Sequence, residues 1–176
     1  MSNVTYGDKL FGLRDLKVTN IAGTTQEDLG AGMTLEISPE FDGGELKGDD
    51  AVVAVVSFMT HAKGKISAGT VSSAAAAIMF GITLTTTGTT PNAVTTTKLS
   101  QGQNMPYFKI YGKSLDEGTG DAHLLATKCK VTGGGTFKFE NGNFWTSELE
   151  IICVDDGTNG IFRLLQNETA TNLPTS

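Results

Sequence analysis

Carboxylates are the most concentrated reactive groups in this sequence. Between Asp15 and Asp50 there are nine acidic residues, and only Lys17 and Lys47 oppose them. A pair of carboxylates at a fixed spacing can hydrolyse a glycosidic bond, but a sugar cleft also needs aromatic platforms, and aromatic residues make up only 7% of the chain. We therefore interpret the acidic stretch as a solvated surface, with the acidic lining of a channel as the functional alternative.

The other residue types form no recognisable catalytic or metal-binding arrangement. His61 and His123 both fall in predicted strands, where a surface role is favoured over a catalytic one. The sequence contains no HExxH, CxxC or GxxxxGK[ST] motif. The acidic strings at 155–158 and 42–44 lack the spacing of a calcium-binding loop and indicate ordinary turns. We expect no enzymatic activity, no cofactor and no metal.

Net charge, cysteine content and the terminal sequence bear on the partners and the cellular location of the chain. The chain of 176 residues has a net charge of −6, which disfavours a grip on the phosphate backbone of nucleic acid. Cys129 and Cys153 are expected to be free thiols in the core, with a single disulfide as the lesser alternative. The N-terminus does not resemble a signal peptide, and no apolar stretch approaches the length of a membrane span. We expect synthesis in the cytoplasm and no membrane partner.

The hydrophobic pattern predicts a mainly β protein with a single domain over residues 1–176. Alternating segments separated by turn residues indicate about eight strands in an antiparallel β-sandwich or barrel. One flanking α-helix is expected at 72–80, because a serine can cap its AAAA run and Gly81 can end it. A Thr-rich hairpin is expected over 82–98. A strand over 122–131 should end at the GGG of 133–135, and an inward stripe should run from Trp145 to Cys153.

A long hairpin is the most distinctive predicted element, with strands at 33–41 and 51–66. The first strand alternates apolar residues with acids, which indicates a half-buried strand with an acidic outer face. The second strand is expected to be buried on both faces in its first half and on one face in its second half. The connection FDGGELKGDD, residues 41–50, predicts an extended, exposed hairpin loop. Residues 1–11 are interpreted as an N-terminal arm and 167–176 as a polar C-terminal tail.

Five segments carry a resemblance to a known family. They are LFGLRDLKVTNIAG, GGELKGDDAVVAVV, PYFKIYGKSL, KCKVTGGGTFKFENGNFWTSELEIICVDDG and NETATNLP. Together they resemble the major tail tube proteins of siphophages and prophages. The resemblance spans nearly the whole chain and keeps the order of its parts, of which FGLRDLKVT and ELKGDD are the more specific.

The resemblance implies a structural virion protein. Subunits of the family are β-sandwiches with a flanking helix, and a hexameric ring of them merges its strands into one continuous barrel around a lumen. Rings stack into a non-contractile tube around a tape measure protein, and the tube meets a tail terminator and distal or baseplate proteins. Phage DNA passes through without specific binding. The chain would be made in the bacterial cytoplasm and reside in the virion.

Two sets of residues are candidates for this function. Glu36 and Glu40 are expected to face the lumen, where acidic groups would repel the phosphates of passing DNA. The predicted loop is expected to contact neighbouring subunits or rings. Its residues are Phe41, Asp42, Gly43, Gly44, Glu45, Leu46, Lys47, Gly48, Asp49 and Asp50.

Three alternative functions stay open. The secreted tube of a contractile injection system would have the same architecture. A carbohydrate-binding or adhesin-type β-sandwich would carry a strip of surface aromatic residues and usually a secretion signal. A glycoside hydrolase is disfavoured by the size of the chain and its few aromatic residues.

Overall fold

Strands dominate the chain, as its threonine and glycine content indicates. The computed structural model describes residues 10–30, 32–48, 51–69, 71–116, 119–138, 141 and 146–175. The strands are β1 Leu10–Asn20, β2 Gln26–Asp28, β3 Gly32–Gly48, β4 Ala51–Ala68, β5 Thr85–Thr87, β6 Val94–Thr96, β7 Phe108–Asp116, β8 Asp121–Lys138, β9 Thr146–Cys153 and β10 Arg163–Asn167. With a single helix, α1 Ser73–Phe80, they confirm the predicted mainly β, antiparallel fold class.

Eight of these strands form one antiparallel sheet that folds into a sandwich-like arrangement. Their order is β2-β1-β7-β8-β9-β4-β3, and β10 pairs with β8 as well. The long strand β8 joins the two layers, because its first half pairs with β7 and β10 and its second half pairs with β9. The core lies between the layers. Its largest fully buried side chains come from both of them: Leu16, Val18, Phe108, Ile110, Ile66, Leu149 and Ile151.

The glycine run within β8 does not end that strand, so the predicted break at 133–135 is wrong. β8 continues to Lys138 and keeps pairing with β9 through two register shifts. Gly134 and Gly135 have φ angles of 75° and 74°, a region that glycine adopts without the steric cost of a Cβ. Irregularities of this kind bend a strand and increase its twist, so the three glycines shape the strand instead of interrupting it.

Helix α1 forms where the sequence predicts it. The Ser72 hydroxyl accepts a hydrogen bond from the Ala75 N–H at 3.0 Å, and Gly81 ends the helix with a φ of 66°. Ala75 and Met79 are fully buried against the sheet. The Thr-rich hairpin predicted over 82–98 is confirmed as the exposed pair β5–β6.

The two cysteines form a disulfide, so the expectation of free thiols is wrong. Cys129 of β8 and Cys153 of β9 lie directly opposite each other in the ladder, with their Cα atoms 4.0 Å apart. Both side chains are fully buried, as the alternation of the two strands predicts. The pairing depends on the register between two strands, which the spacing of the cysteines in the sequence does not reveal.

Candidate assembly surface

The β3–β4 hairpin extends beyond the sheet that anchors it, and this confirms the predicted long hairpin. β4 pairs with β9 only from Ala62 to Ala68, whereas residues 51–61 pair with β3 alone. Among the described residues, β3 has no partner strand besides β4. Residues 41–48 and 51–60, here called the outer hairpin, therefore keep an unpaired backbone edge on each side. Such edges are ready to pair with a strand of another chain.

Large apolar side chains cover the outer hairpin. The exposed fraction is 66% for Val55 and 64% for Phe41, Leu46 and Val56. Phe58 and Met59 are exposed as well. An isolated two-stranded hairpin is only marginally stable in water, and a contiguous exposed apolar surface usually marks a binding site. The outer hairpin thus has the properties of a surface that another molecule covers.

The structure corrects two predictions about this region. The segment predicted as a loop is a strand from Phe41 to Gly48, in register with β4, while Asp49 and Asp50 lie outside the described residues. The first half of β4 is not buried on both faces, because residues 54–60 are exposed and burial begins at Ala62. The apolar run there resembles a core strand in composition, but no second layer covers it.

Cross-strand register divides the outer hairpin into two faces. Val56 and Phe58 of β4 lie opposite Gly44 and Asp42, so their side chains share one face with Leu46. Phe41 and Met59 lie opposite each other and share the other face with Val55 and Glu45. Apolar residues therefore occupy both faces of the ribbon. A neighbouring chain could cover either face.

Gly43 is a position in the outer hairpin where the backbone requires glycine. A Cβ at this position would overlap the carbonyl oxygen of Val56 on the facing strand. The adjacent Gly44 has open space where a Cβ would stand. The two glycines therefore differ in structural role, although the sequence presents them as an equivalent pair.

Glu36 and Glu40 lie on the outer face of the β3–β4–β9 layer. Glu40 forms an ion pair with Lys63 at 3.3 Å, and Glu36 stands opposite Lys65 in the ladder. Lys65 in turn pairs with Glu148 of β9 at 3.1 Å. A groove of about 340 Å³ on this face has two acidic and two basic side chains in its lining, Glu36, Glu150, Lys63 and Lys65. The structure thus places both predicted lumen residues on one face, but that face is mixed in charge and not uniformly acidic.

A buried carboxylate, Asp121, ties the C-terminal tail to the sheet, and it was not among the predicted site residues. Its side chain is inaccessible to solvent and accepts hydrogen bonds from the Asn167 amide and the Thr171 backbone N–H, both at 2.7 Å. Lys113 Nζ lies 3.0 Å from Asp121 and also donates to the Thr171 carbonyl. Two residues after Thr171, Leu173 packs on Tyr111 and Leu125, on the side of the sheet away from the main core.

The hydrogen bonds at Asp121 hold its pKa low. Burial alone would raise the pKa, but the bonds from Asn167, Thr171 and Lys113, together with the nearby His123, lower it to about 2. His123 lies 3.2 Å from the same carboxylate and is 2% exposed, so its predicted surface position is wrong. Asp121 and His123 lie two residues apart in one strand, so they share one face of it. This spacing is the only feature of the cluster that the sequence shows.

The acidic turn at 155–158 is an ordinary turn, as predicted. The Asp156 side chain accepts hydrogen bonds from the Asn159 side chain and from the backbone N–H groups of Asn159 and Thr158, and these lower its pKa below the usual range. Within the described part of the chain, no three His, Cys, Asp or Glu side chains group as a metal site would require. No helix in that part is long and apolar enough to cross a membrane. Trp145, predicted to point inward, lies outside the described residues.

Comparisons with protein-family models and with curated proteins give no match for this chain.

Proposed function

We propose that this chain is a structural subunit that assembles through its outer hairpin, and that it is the major tail tube protein of a long-tailed bacteriophage. The observation that carries the proposal is the outer hairpin itself, with two unpaired edges and apolar side chains on both faces. A strand pair of this kind gains stability when neighbouring copies extend its ladder and cover its faces. Closure of such strands into a ring removes every free edge.

The resemblance to tail tube proteins supplies the form of the assembly. Hexameric rings would join their hairpins into one barrel and stack around a tape measure protein, between a tail terminator and the distal or baseplate proteins. The candidate contacts from Phe41 to Lys47 belong to the outer hairpin, and their exposure supports a role between subunits or rings. Glu36 and Glu40 stay the proposed lumen acids, with Lys63 and Lys65 beside them.

The test is electron microscopy and sedimentation of the purified chain over a range of concentrations. We expect rings or hollow tubes of uniform width from the native sequence. In the double variant Val56→Thr and Phe58→Thr, assembly should be lost because the apolar surface is lost, while threonine keeps the preference for a strand. The thermal unfolding of the variant's core should match that of the native chain, because both residues are exposed.

A matched control is Val94→Thr in strand β6, whose side chain is 59% exposed but lies outside the outer hairpin. This variant should assemble like the native chain. A native chain that stays monomeric at every concentration would contradict the proposal. Tubes of normal form from the Val56→Thr, Phe58→Thr variant would show that assembly does not use this hairpin.

A further inference from the structure

A basic and aromatic patch lies on β7 and β8, away from the outer hairpin in the sheet order. The Tyr107 ring is 40% exposed, with the Nζ atoms of Lys128 and Lys130 at 5.5 Å and 5.3 Å from its centroid. Tyr107 comes directly before β7, and Lys109 lies two residues further along the chain, within β7. We call these four residues the Tyr107 patch.

The lysines of the Tyr107 patch have no anionic partner among the described residues. None of the three has a carboxylate within the 4.0 Å of an ion pair, although acidic residues outnumber basic ones in the chain. Lys130 donates a hydrogen bond to the Asn104 side chain at 2.8 Å, which fixes the position of its ammonium group. Cations held over an aromatic ring and left without a counter-charge suit an anionic ligand.

An apolar groove borders the Tyr107 patch. Its volume is about 440 Å³, and Ile21, Ile78, Leu84 and Pro106 line it together with Tyr107 itself. The ligand that fits both surfaces is therefore amphipathic, with apolar side chains for the groove and carboxylates for the lysines.

The outer hairpin of a second copy has this chemistry. One of its faces exposes Leu46 and Phe58 beside Asp42, and the other exposes Phe41 together with Glu45. Its segment 41–50 carries four carboxylates against the single Lys47. We propose that the Tyr107 patch and its groove receive the outer hairpin of a neighbouring copy. This inference rests on the proposed function and names the acceptor surface that the hairpin engages.

Charge reversal on each side tests the pairing. The patch variant carries Lys128→Glu and Lys130→Glu, and the hairpin variant carries Asp42→Lys and Glu45→Lys. Each variant alone should need a concentration at least about tenfold higher to assemble, because like charges would meet at every contact. An equimolar mixture should assemble almost as the native chain does, since each hairpin then finds a patch of opposite charge on the other variant. Lys98→Glu, at an exposed position that is not one of the four patch residues, is the control and should assemble normally.

The outcomes separate this inference from the proposed function. If the mixture assembles, both variants must be folded, and the contact between the outer hairpin and the Tyr107 patch is supported. If the patch variant alone assembles normally, the acceptor surface is wrong, while hairpin-driven assembly stands. If the native chain never assembles, the proposed function is wrong and the acceptor falls with it. Binding of a duplex oligonucleotide is measured for the native chain and the patch variant. If the patch variant assembles normally and loses only oligonucleotide binding, the patch binds nucleic acid and the inference is overturned.

Discussion

Asp121 is the residue on which the attachment of the C-terminal tail depends. Replacing it with asparagine removes the charge that pairs with Lys113 and weakens the contacts with Asn167 and Thr171. Loss of one partner from a buried ion pair leaves the other charge uncompensated, so we expect Asp121→Asn to lower the free energy of unfolding by about 3 kcal/mol. Urea denaturation at neutral pH measures this. Asp15→Asn, which affects only the half-exposed pair with Lys17, should cost less than about 1 kcal/mol.

The same carboxylate predicts how stability depends on pH. The pKa of Asp121 falls from 3.8 to about 2 on folding, so the folded state is favoured above the higher value. Its contribution of about 2 kcal/mol is present at neutral pH and is lost as the pH falls from about 5 to about 2. Unfolding curves in this range should show a smaller acid dependence for Asp121→Asn than for the native chain. Equal acid dependence would show that other carboxylates govern acid unfolding.

The disulfide gives a second prediction at this scale. Cys129 and Cys153 are separated by 24 residues, and a cross-link over a loop of that length stabilises a fold by about 3 kcal/mol, chiefly by restricting the unfolded chain. We expect Cys129→Ala with Cys153→Ala to lower the free energy of unfolding by that amount. A reductant should destabilise the native chain similarly and leave the double variant unchanged. A native chain that contains two titratable thiols would contradict the pairing.

Single residues show where prediction from sequence reaches its limit. The burial of Cys129 and Cys153 follows from strand alternation, but their bond follows from the register of β8 against β9. The environment of Asp121 likewise depends on Asn167 and Thr171, which reach it only once β10 and the tail have folded back on β8. Contacts between distant segments leave no periodic signal in the sequence, so the cluster around Asp121 could not be predicted.

At the scale of elements, periodicity identified most strands and the helix. It failed where a segment has the composition of a loop but pairs with a neighbouring strand. The helix had a capping serine, an alanine run and a terminal glycine, each of which acts locally. The segment 41–48 and the glycines of β8 have the composition of loops, yet both are strands because partner strands lie in register beside them. Burial of residues 54–60 was also predicted wrongly, because composition cannot distinguish a core strand from an exposed apolar strand.

The two neighbouring glycines of the outer hairpin offer a test of the element as a whole. Gly43→Ala should force β3 away from β4, because the new methyl group overlaps the Val56 carbonyl. Gly44→Ala adds the same methyl group in open space and is the matched control. We expect Gly43→Ala to lose amide protection in the outer hairpin and to assemble poorly, while Gly44→Ala behaves as the native chain. Equal protection in the two variants would show that the hairpin tolerates the overlap.

At the scale of the whole molecule, the chain covers one surface of the sheet with its own tail and leaves another apolar surface exposed. The C-terminal tail covers Tyr111 and Leu125, and Gln26 holds the tail further along by donating to the Pro174 carbonyl at 2.7 Å. The outer hairpin has no such cover in the described chain. A fold that closes one surface with its own tail and leaves an apolar hairpin exposed supports the proposed role as an assembling subunit.

The balance of forces in the assembly leads to a final prediction. Sulfate strengthens the burial of apolar surface, whereas any salt screens the attraction between carboxylates and lysines. At matched ionic strength, the two salts screen charges equally. If the apolar faces of the outer hairpin drive association, sodium sulfate should therefore lower the critical concentration for assembly relative to sodium chloride. Raising sodium chloride alone should increase the critical concentration, because it weakens contacts between the acidic hairpin and the Tyr107 patch. Light scattering against concentration measures both effects. A critical concentration that responds to neither salt would mean that backbone pairing at the edges of β3 and β4 dominates the contact, and that the side chains of the outer hairpin contribute little.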